Sequence, residues 1–387
     1  MAGTRRRRKE NTGPVPVRYY DYSLVAVLVF LVCFGLVMLY STSAYTALIE
    51  NGDSMYYFKR QILFCGAGFV IIYVVSRINY HWYIGKAKAI YFFSLFLMLL
   101  VKTPLGKEVN GARRWIQLPL GQQFQPSELA KIAVILFIPV VICKMGKEFL
   151  SLQGVAKTLA WGGVCAAAVL FLTDNLSTAA IVFGITYIVV AVAHPRTKAF
   201  LALAGIGVAG LVAFVLAFGS SLASSSDFRL RRLAVWLNPE QYADGLGYQT
   251  LQGLYAIGSG GFFGKGLGNS AQKMVIPEVQ NDMILTVICE ELGVFGVIVV
   301  LVLFGMLLYR IIFIAQNAPD MYGSLMVTGI FAHIALQVFL NIAVVTKMIP
   351  NTGVTLPFIS YGGTSVLFLM AEMGIVLGVS RTIKLSE

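Results

Sequence analysis

Residues 276–296 read IPEVQNDMILTVICEELGVFG, and this stretch constrains the chain more than any other. A proline and the polar or acidic residues Glu278, Gln280, Asn281 and Asp282 lead into an apolar run that continues to about Tyr309. A run of that length matches a membrane-spanning helix, which needs about 20 mainly apolar residues. Inside it stand two adjacent acids, Glu290 and Glu291. At a rise of 1.5 Å per residue Glu290 lies about 12 Å deeper than Asp282, about halfway into a ~30 Å hydrocarbon slab. Ionisable groups at that depth are costly and mark function or a specific partner. Asp282 stands instead at the mouth of the run, where a helix N-terminus favours an anion. Asn281 and Asp282 therefore read either as helix caps or as groups aimed at a ligand.

Composition extends the membrane reading to the whole chain. Of 387 residues, 58% are hydrophobic and 12% charged, about half the charged share of a soluble domain. The expected fold is all-α, a polytopic integral membrane protein with about ten transmembrane helices. The apolar spans fall at about 22–43, 60–77, 88–102, 127–144, 155–172, 176–193, 199–219, 283–309, 321–345 and 364–380. A long outer loop, about 220–281, separates the seventh from the eighth. A basic tail (1–20) precedes the transmembrane domain (21–381), and a short tail (382–387) follows it. The run Arg5 to Lys9 precedes an apolar segment too long for a cleaved signal, so it reads as a retained anchor's cytoplasmic flank. Ten spans then return the C-terminus to the cytoplasm, and more than half of the 30 Lys and Arg lie inside, as the positive-inside rule requires. The formal net charge of +12 is thus a topology signal, and no nucleic-acid partner is expected. The five cysteines sit in apolar runs without CxxC spacing and read as small hydrophobes. Only three histidines occur, which argues against a His-based metal site.

The cations left over carry information. Lys59, Arg60, Lys107, Arg113, Arg114, Arg229, Arg231, Arg232, Lys265, Lys273 and Lys347 fall on the outer side, where topology does not favour them. Clustered arginines suit phosphate, so an anionic ligand at the outer face is expected. The plain alternative is that long loops escape the positive-inside rule. Glu128 and Lys131 are three apart and share a helix face as an ion pair, expected to border a cavity and to help set the ionisation of Asp282. Glu290 and Glu291 point about 100° apart and read as structural. The glycines at 258, 260, 261, 264, 266 and 268 follow no strand and precede no Walker lysine, so they suit sharp turns at the membrane surface rather than a nucleotide loop. PNTGVTLPFISYGGTS (350–365) breaks apolar sequence with prolines and glycines. Irregular backbone at membrane depth must be buried in protein or line a water-filled cavity, so this stretch reads as a re-entrant or broken-helix wall.

Several ordered motifs coincide: NGARRWI at 110–116, QPSELAK at 125–131, R-x-x-R-x-x-x-W-L-N-P-E from Arg229 to Glu240, GYQ at 247–249, GSGGFFGKGLG at 258–268, IPEVQNDMI, EELG at 290–293 and LPFISYGGTS at 356–365. Together they make the chain resemble the SEDS proteins (shape, elongation, division and sporulation: FtsW, RodA, SpoVE) from about Asp21 to Arg381. GLGNSAQK at 266–273 is closest to the FtsW/SpoVE branch. The resemblance implies a peptidoglycan glycosyltransferase of the bacterial cytoplasmic membrane. Such an enzyme polymerises lipid II at the outer face by inverting displacement. It works beside a class B penicillin-binding protein and other divisome or sporulation membrane proteins. The family's essential aspartate maps to Asp282, although Gln280, Asn281 and Met283 replace its usual His, Thr and Phe, and Thr364 replaces Ser. Residues 173–178, TDNLST, stand where P-D-x-G-T is frequent.

Glycosidic bond formation from a lipid pyrophosphate needs a base for the acceptor hydroxyl and positive charge for the leaving group. Asp282 is the candidate base. Arg113, Arg114, Lys131, Arg229, Arg232 and Lys347 are the candidate cations, with Glu128 beside Lys131. No cofactor is required, but a divalent cation such as Mg or Mn could bridge Asp282 and the pyrophosphate. The rival readings are a lipid II flippase, with midplane charge from Glu128, Lys131, Glu290 and Glu372, and a scaffold that recruits a penicillin-binding protein. No internal repeat favours the flippase, and a scaffold leaves the outer cations without a purpose.

Overall fold

The computed structural model describes residues 20–109, 112–117, 123–223, 228–243, 245 and 247–384. The basic run Arg5 to Lys9 lies outside the described residues. The apolar runs fold as helices because backbone without water around it can pair its own N–H and C=O groups only that way. In chain order they are α1 (Tyr22–Asn51), α2 (Tyr56–Val75), α3 (Trp82–Leu100), α4 (Pro126–Met145), α5 (Leu152–Leu172), α6 (Leu176–Ala193), α7 (Thr197–Ala223), α8 (Phe228–Leu237), α9 (Tyr248–Gly260), α10 (Ile284–Asn317), α11 (Met321–Val345) and α12 (Thr364–Ser380). Among the described residues α1 to α6, α10 and α11 are long and apolar enough to cross a membrane, and α7 and α12 carry shorter apolar stretches. Side-chain oxygens of Asp21, Ser151, Asn175 and Asp320 cap α1, α5, α6 and α11, each satisfying a first-turn N–H. In α4 and α11, 67% of the apolar window is buried, against 22% in α2 and 28% in α3. Hence α4 and α11, with the equally buried α12, form the centre, and α2 and α3 lie towards the outside.

The two ends of the bundle differ. At one, Arg310 forms a bidentate pair with Asp21 (2.7 Å for Nη2–Oδ2), Tyr80 donates to Asp320, and Arg381 donates to the Ser76 carbonyl at 3.2 Å. The start of α1 and the end of α12 meet there. The opposite end holds the irregular segments. Residues 101–125 include a three-stranded antiparallel sheet: β1 (Gly106–Val109), β2 (Ala112–Gln117) and β3 (Gln123–Phe124), in that order. Hydropathy did not reveal it, because strands this short carry no long apolar run.

The expected 220–281 loop is partly helical, and part of it packs along α10. A Cβ added at Gly253 would sit 2.7 Å from Met283, and one at Gly260 only 1.9 Å from the Cys289 carbonyl oxygen. α9 therefore descends beside the first turns of α10 to the level of Glu290. The chain then turns back, and the glycine run, largely exposed, makes its close approach against the backbone of α10 at the level of Glu290. It meets α10 at a break, where Gly293 has φ 65° and ψ −161°. That break frees two carbonyls and two N–H groups of the helix ladder. Lys265 and Gly266 donate to the Glu290 and Glu291 carbonyls (2.9 Å each), while Val294 and Phe295 donate to the Gly261 and Phe262 carbonyls (3.1 and 3.0 Å). All four freed groups are paired, as buried backbone requires.

The same crossing resolves the two intramembrane acids. Glu290 receives Lys265 Nζ at 2.6 Å, the Ser270 hydroxyl and the N–H groups of Ala271 and Gln272. Glu291 receives Lys273 Nζ at 3.1 Å and the Ser41 hydroxyl at 2.6 Å. Lys265 and Lys273, expected among the ligand-seeking outer cations, are instead the counterions of these carboxylates.

Candidate functional site

The irregular end encloses a cavity of about 760 Å³, bordered by α2, α4, α6, α8 and the segments 277–282 and 351–365. That is large enough for a phosphorylated sugar head group, since ligand pockets run to roughly 300–1,000 Å³. Of the residues singled out in the sequence, Asp282, Glu128, Lys131, Arg114 and Arg232 line it. Arg113 and Lys347 do not.

Asp282 lies two residues before α10. The N-cap of that helix is Met283, with no capping side-chain bond, and the Asn281 side chain donates to Glu278 instead. The capping explanation of Asn281 and Asp282 is thereby removed. The Asp282 backbone is held by what surrounds it. Its carbonyl accepts from Asn341 Nδ2 at 2.8 Å, and the same nitrogen donates to the Val354 carbonyl at 2.8 Å. One amide thus ties the loop before α10 to the re-entrant wall. In that wall Gly353 approaches closely enough that an added Cβ would lie 3.8 Å from Asp282 Oδ2.

Burial pushes the Asp282 carboxyl up to about 6, against the lowering effects of its own N–H and of the Arg232 guanidinium. The Glu278 carboxylate adds to the rise. The sequence pointed to Glu128 and Lys131 as the groups that set this ionisation, but they are engaged elsewhere. Lys131 Nζ lies 2.9 Å from Glu128 and 3.4 Å from Gln337 Oε1, buried at the floor of the cavity.

Arg114 and Arg113 part company because they are neighbours on a strand. Successive side chains of β2 point to opposite faces. Arg113 pairs across the hairpin with Glu108 at 3.3 Å and is exposed. Arg114 turns into the cavity and donates to the Asp174 carbonyl at 3.2 Å. On α8, Arg232 donates to the Asn351 carbonyl at 3.1 Å, and one turn later Trp236 donates to the Lys347 carbonyl at 2.9 Å. These two bonds lay α8 against residues 347–351. Lys347 itself borders a separate cavity of about 80 Å³ behind Arg232. The backbone of Arg229 and Arg231 belongs to α8, and their side chains lie outside the described part.

Sequence reading missed two parts of the site. Tyr56, Tyr57 and Tyr361 form an aromatic rim, with Tyr57 edge-on to Tyr361 and Arg60, one of the outer cations expected from the sequence, over Tyr56. Gln337 reaches the cavity floor from α11, and Asn341, one turn on, holds the backbone carbonyl of Asp282. Their four-residue spacing in an apolar helix was a usable signal. The midplane charges that a transporter would use are dispersed: Glu290 is held by Lys265, and Glu372 by His333 at 2.8 Å. Among the described residues no three His, Cys, Asp or Glu side chains come together as metal ligands.

The FtsW/RodA/SpoVE family profile, described as "Cell cycle protein", matches residues 22–385. Stage V sporulation protein E of Bacillus subtilis is 38% identical over 366 residues, 93% of this chain and 97% of that protein. "Probable peptidoglycan glycosyltransferase FtsW" of Trichlorobacter lovleyi is 38% identical over 382 residues, 96% of each chain. Among solved structures, a chain from a peptidoglycan synthase complex, described as coordinating polymerization and crosslinking, superimposes with a TM-score of 0.75 at 28% identity. That alignment covers 94% of this chain and 98% of the other. The Thermus thermophilus rod shape determining protein RodA gives a TM-score of 0.67 at 27% identity, covering 95% and 98%.

Proposed function

The chain belongs to the FtsW/RodA/SpoVE family of cell cycle proteins, and from that we propose that it is a peptidoglycan glycosyltransferase. It polymerises lipid II into glycan strands at the outer face of the bacterial cytoplasmic membrane, with both termini in the cytoplasm. One observation carries the reading. A single cavity joins a buried carboxyl, which burial pushes up to about 6, to four cations, Arg60, Arg114, Lys131 and Arg232.

The chemistry follows from that pairing. Ionised Asp282 accepts the proton of the acceptor sugar hydroxyl while the hydroxyl oxygen bonds to the donor's anomeric carbon. The bond from that carbon to the pyrophosphate oxygen breaks on the opposite face, and its electron pair leaves with the pyrophosphate. Charge grows on that oxygen in the transition state, where fixed cations act most strongly. Arg114 and Arg232 suit bidentate phosphate contacts and Lys131 a point contact. A divalent cation would be held by Asp282 and the substrate's phosphate oxygens, which is how such ions sit with few protein ligands. Crosslinking falls to a partner, a class B penicillin-binding protein, in keeping with the paired activities of the structural relative.

The test is glycan polymer formation from lipid II by purified protein, with and without such a partner. Wild type should give polymer, and Asp282→Asn should lower the rate by about 10²–10⁴ while inserting normally, the usual effect of losing a general base. Near wild-type polymer from a folded Asp282→Asn protein would sink the assignment.

A further inference from the structure

His333, Gln337 and Asn341 recur every four residues along α11 and therefore share one face of it. Asn341 holds the carbonyl of Asp282, as described above. Gln337 does the equivalent for Lys131. Its Nε2 donates to the Thr355 carbonyl at 3.1 Å, and its Oε1 lies 3.4 Å from Lys131 Nζ and 2.9 Å from His333 Nε2. An ammonium can only donate, so the Gln337 atom facing Lys131 is the oxygen, and His333 Nε2 must carry a hydrogen to face it. The other ring nitrogen, Nδ1, lies 3.0 and 2.8 Å from the two oxygens of Glu372. That pair holds one further proton between carboxylate and imidazole, and on either side of the transfer it has no net charge. His333 is 1% exposed and Glu372 0%, so water does not compete for these bonds.

We infer that Gln337 is a positioning residue whose oxygen holds the Lys131 ammonium in the cavity, and that the buried His333–Glu372 pair locks the amide in that orientation. The inference rests on the glycosyltransferase reading for the ligand that Lys131 meets. An ammonium has three N–H bonds. Among the described residues Glu128 and Gln337 account for two, which leaves one for a phosphate oxygen. Without the His333 donor, a turned amide would present NH₂ to Lys131, and two donors would face each other. Lys131 would then withdraw toward Glu128, away from the leaving group. The same face of α11 thus places both the base, through Asn341, and a leaving-group cation, through Gln337.

The test uses the full-length protein in detergent or liposomes, with kcat, KM for lipid II and Tm measured for each variant. Gln337→Met keeps the volume and removes the acceptor. Its kcat should fall at least about tenfold, with KM changing much less, because misplacing a group by about 1 Å costs rate at the transition state. The double variant His333→Phe with Glu372→Leu removes both partners of the lock, which apolar replacement tolerates. It should lose at least about threefold in kcat at unchanged or higher Tm. Thr328→Val, on the same helix and bonded only to its own helix carbonyl at Ser324, should match wild type. A kcat within about twofold of wild type for folded Gln337→Met would overturn the inference. If that variant does not fold, the same result for the double variant overturns it. An equal loss in Thr328→Val would also overturn it, by tracing the effect to general disturbance of α11. Absence of polymer from wild type would count against the glycosyltransferase reading instead.

Discussion

Asp282 is poised between two requirements. A base works best with a pKa near the working pH, and burial puts this one at about 6. Turnover should therefore drop by about tenfold per pH unit below pH 6 and level off above it, which a pH–rate profile on lipid II would check. Stability runs the other way. A carboxyl whose folded pKa is raised above its ordinary 3.8 binds its proton more tightly in the folded state. Stability is thus greatest below pH 4 for this group, is lost between about 4 and 6, and stays lower above. Asp282→Asn should accordingly raise Tm at pH 7.5 by removing a penalty of order 3 kcal/mol at most, and the gain should vanish near pH 4. The two arginines of β2 provide a second contrast. Arg114→Gln should weaken lipid II binding by about tenfold, as loss of a charge-assisted phosphate contact does. Arg113→Gln breaks only an exposed pair worth about 0–1 kcal/mol and should leave KM unchanged.

Among the elements, α10 depends most on a neighbour distant in the chain. Its break at Gly293 is filled by residues 261–266, and its acids are met by Lys265 and Lys273 on the same returning strand of chain. Lys273 and Glu291 are buried at 8% and 0% side-chain exposure, so removing one partner strands the other. Glu291→Gln should destabilise the protein by about 3–5 kcal/mol and expose 261–275 to proteolysis. Replacing both partners by apolar residues, Glu291→Leu with Lys273→Met, should recover most of the loss, since paired removal leaves no buried charge. Tm and limited proteolysis in detergent would report both. A double variant no more stable than the single one would mean the pair is not what fastens the segment.

For the whole molecule, the irregular end must face outward if its substrate is lipid II. In a variant lacking the five native cysteines, a cysteine at Asn351 should react with a membrane-impermeant thiol reagent in intact cells. One at Thr382 should react only after permeabilisation. The reverse pattern would put the cavity on the cytoplasmic face and remove the proposed substrate. The bundle suits this arrangement: α4 and α11 at the centre carry the cavity floor, and the outer helices meet lipid.

Hydrophobic runs alone determined the long spanning helices, though not α8 and α9, because in lipid each spanning segment must pair its own backbone groups whatever its neighbours do. Local spacing also determined the Glu128–Lys131 pair, three apart on one helix, and the irregular, cavity-lining character of 350–365, where prolines and glycines interrupt an apolar stretch. Chain-local rules reach no further. Which cations line the cavity and which serve a buried acid depended on partners far apart in sequence: Lys265 with Glu290, Lys131 with Gln337, Asn341 with the carbonyl of Asp282. The separation of Arg113 from Arg114 depended on a strand that hydropathy does not register. A buried charge is stable only where a counter-charge or donor lies within a few ångströms, and only the packing of distant elements decides which side chains come that close.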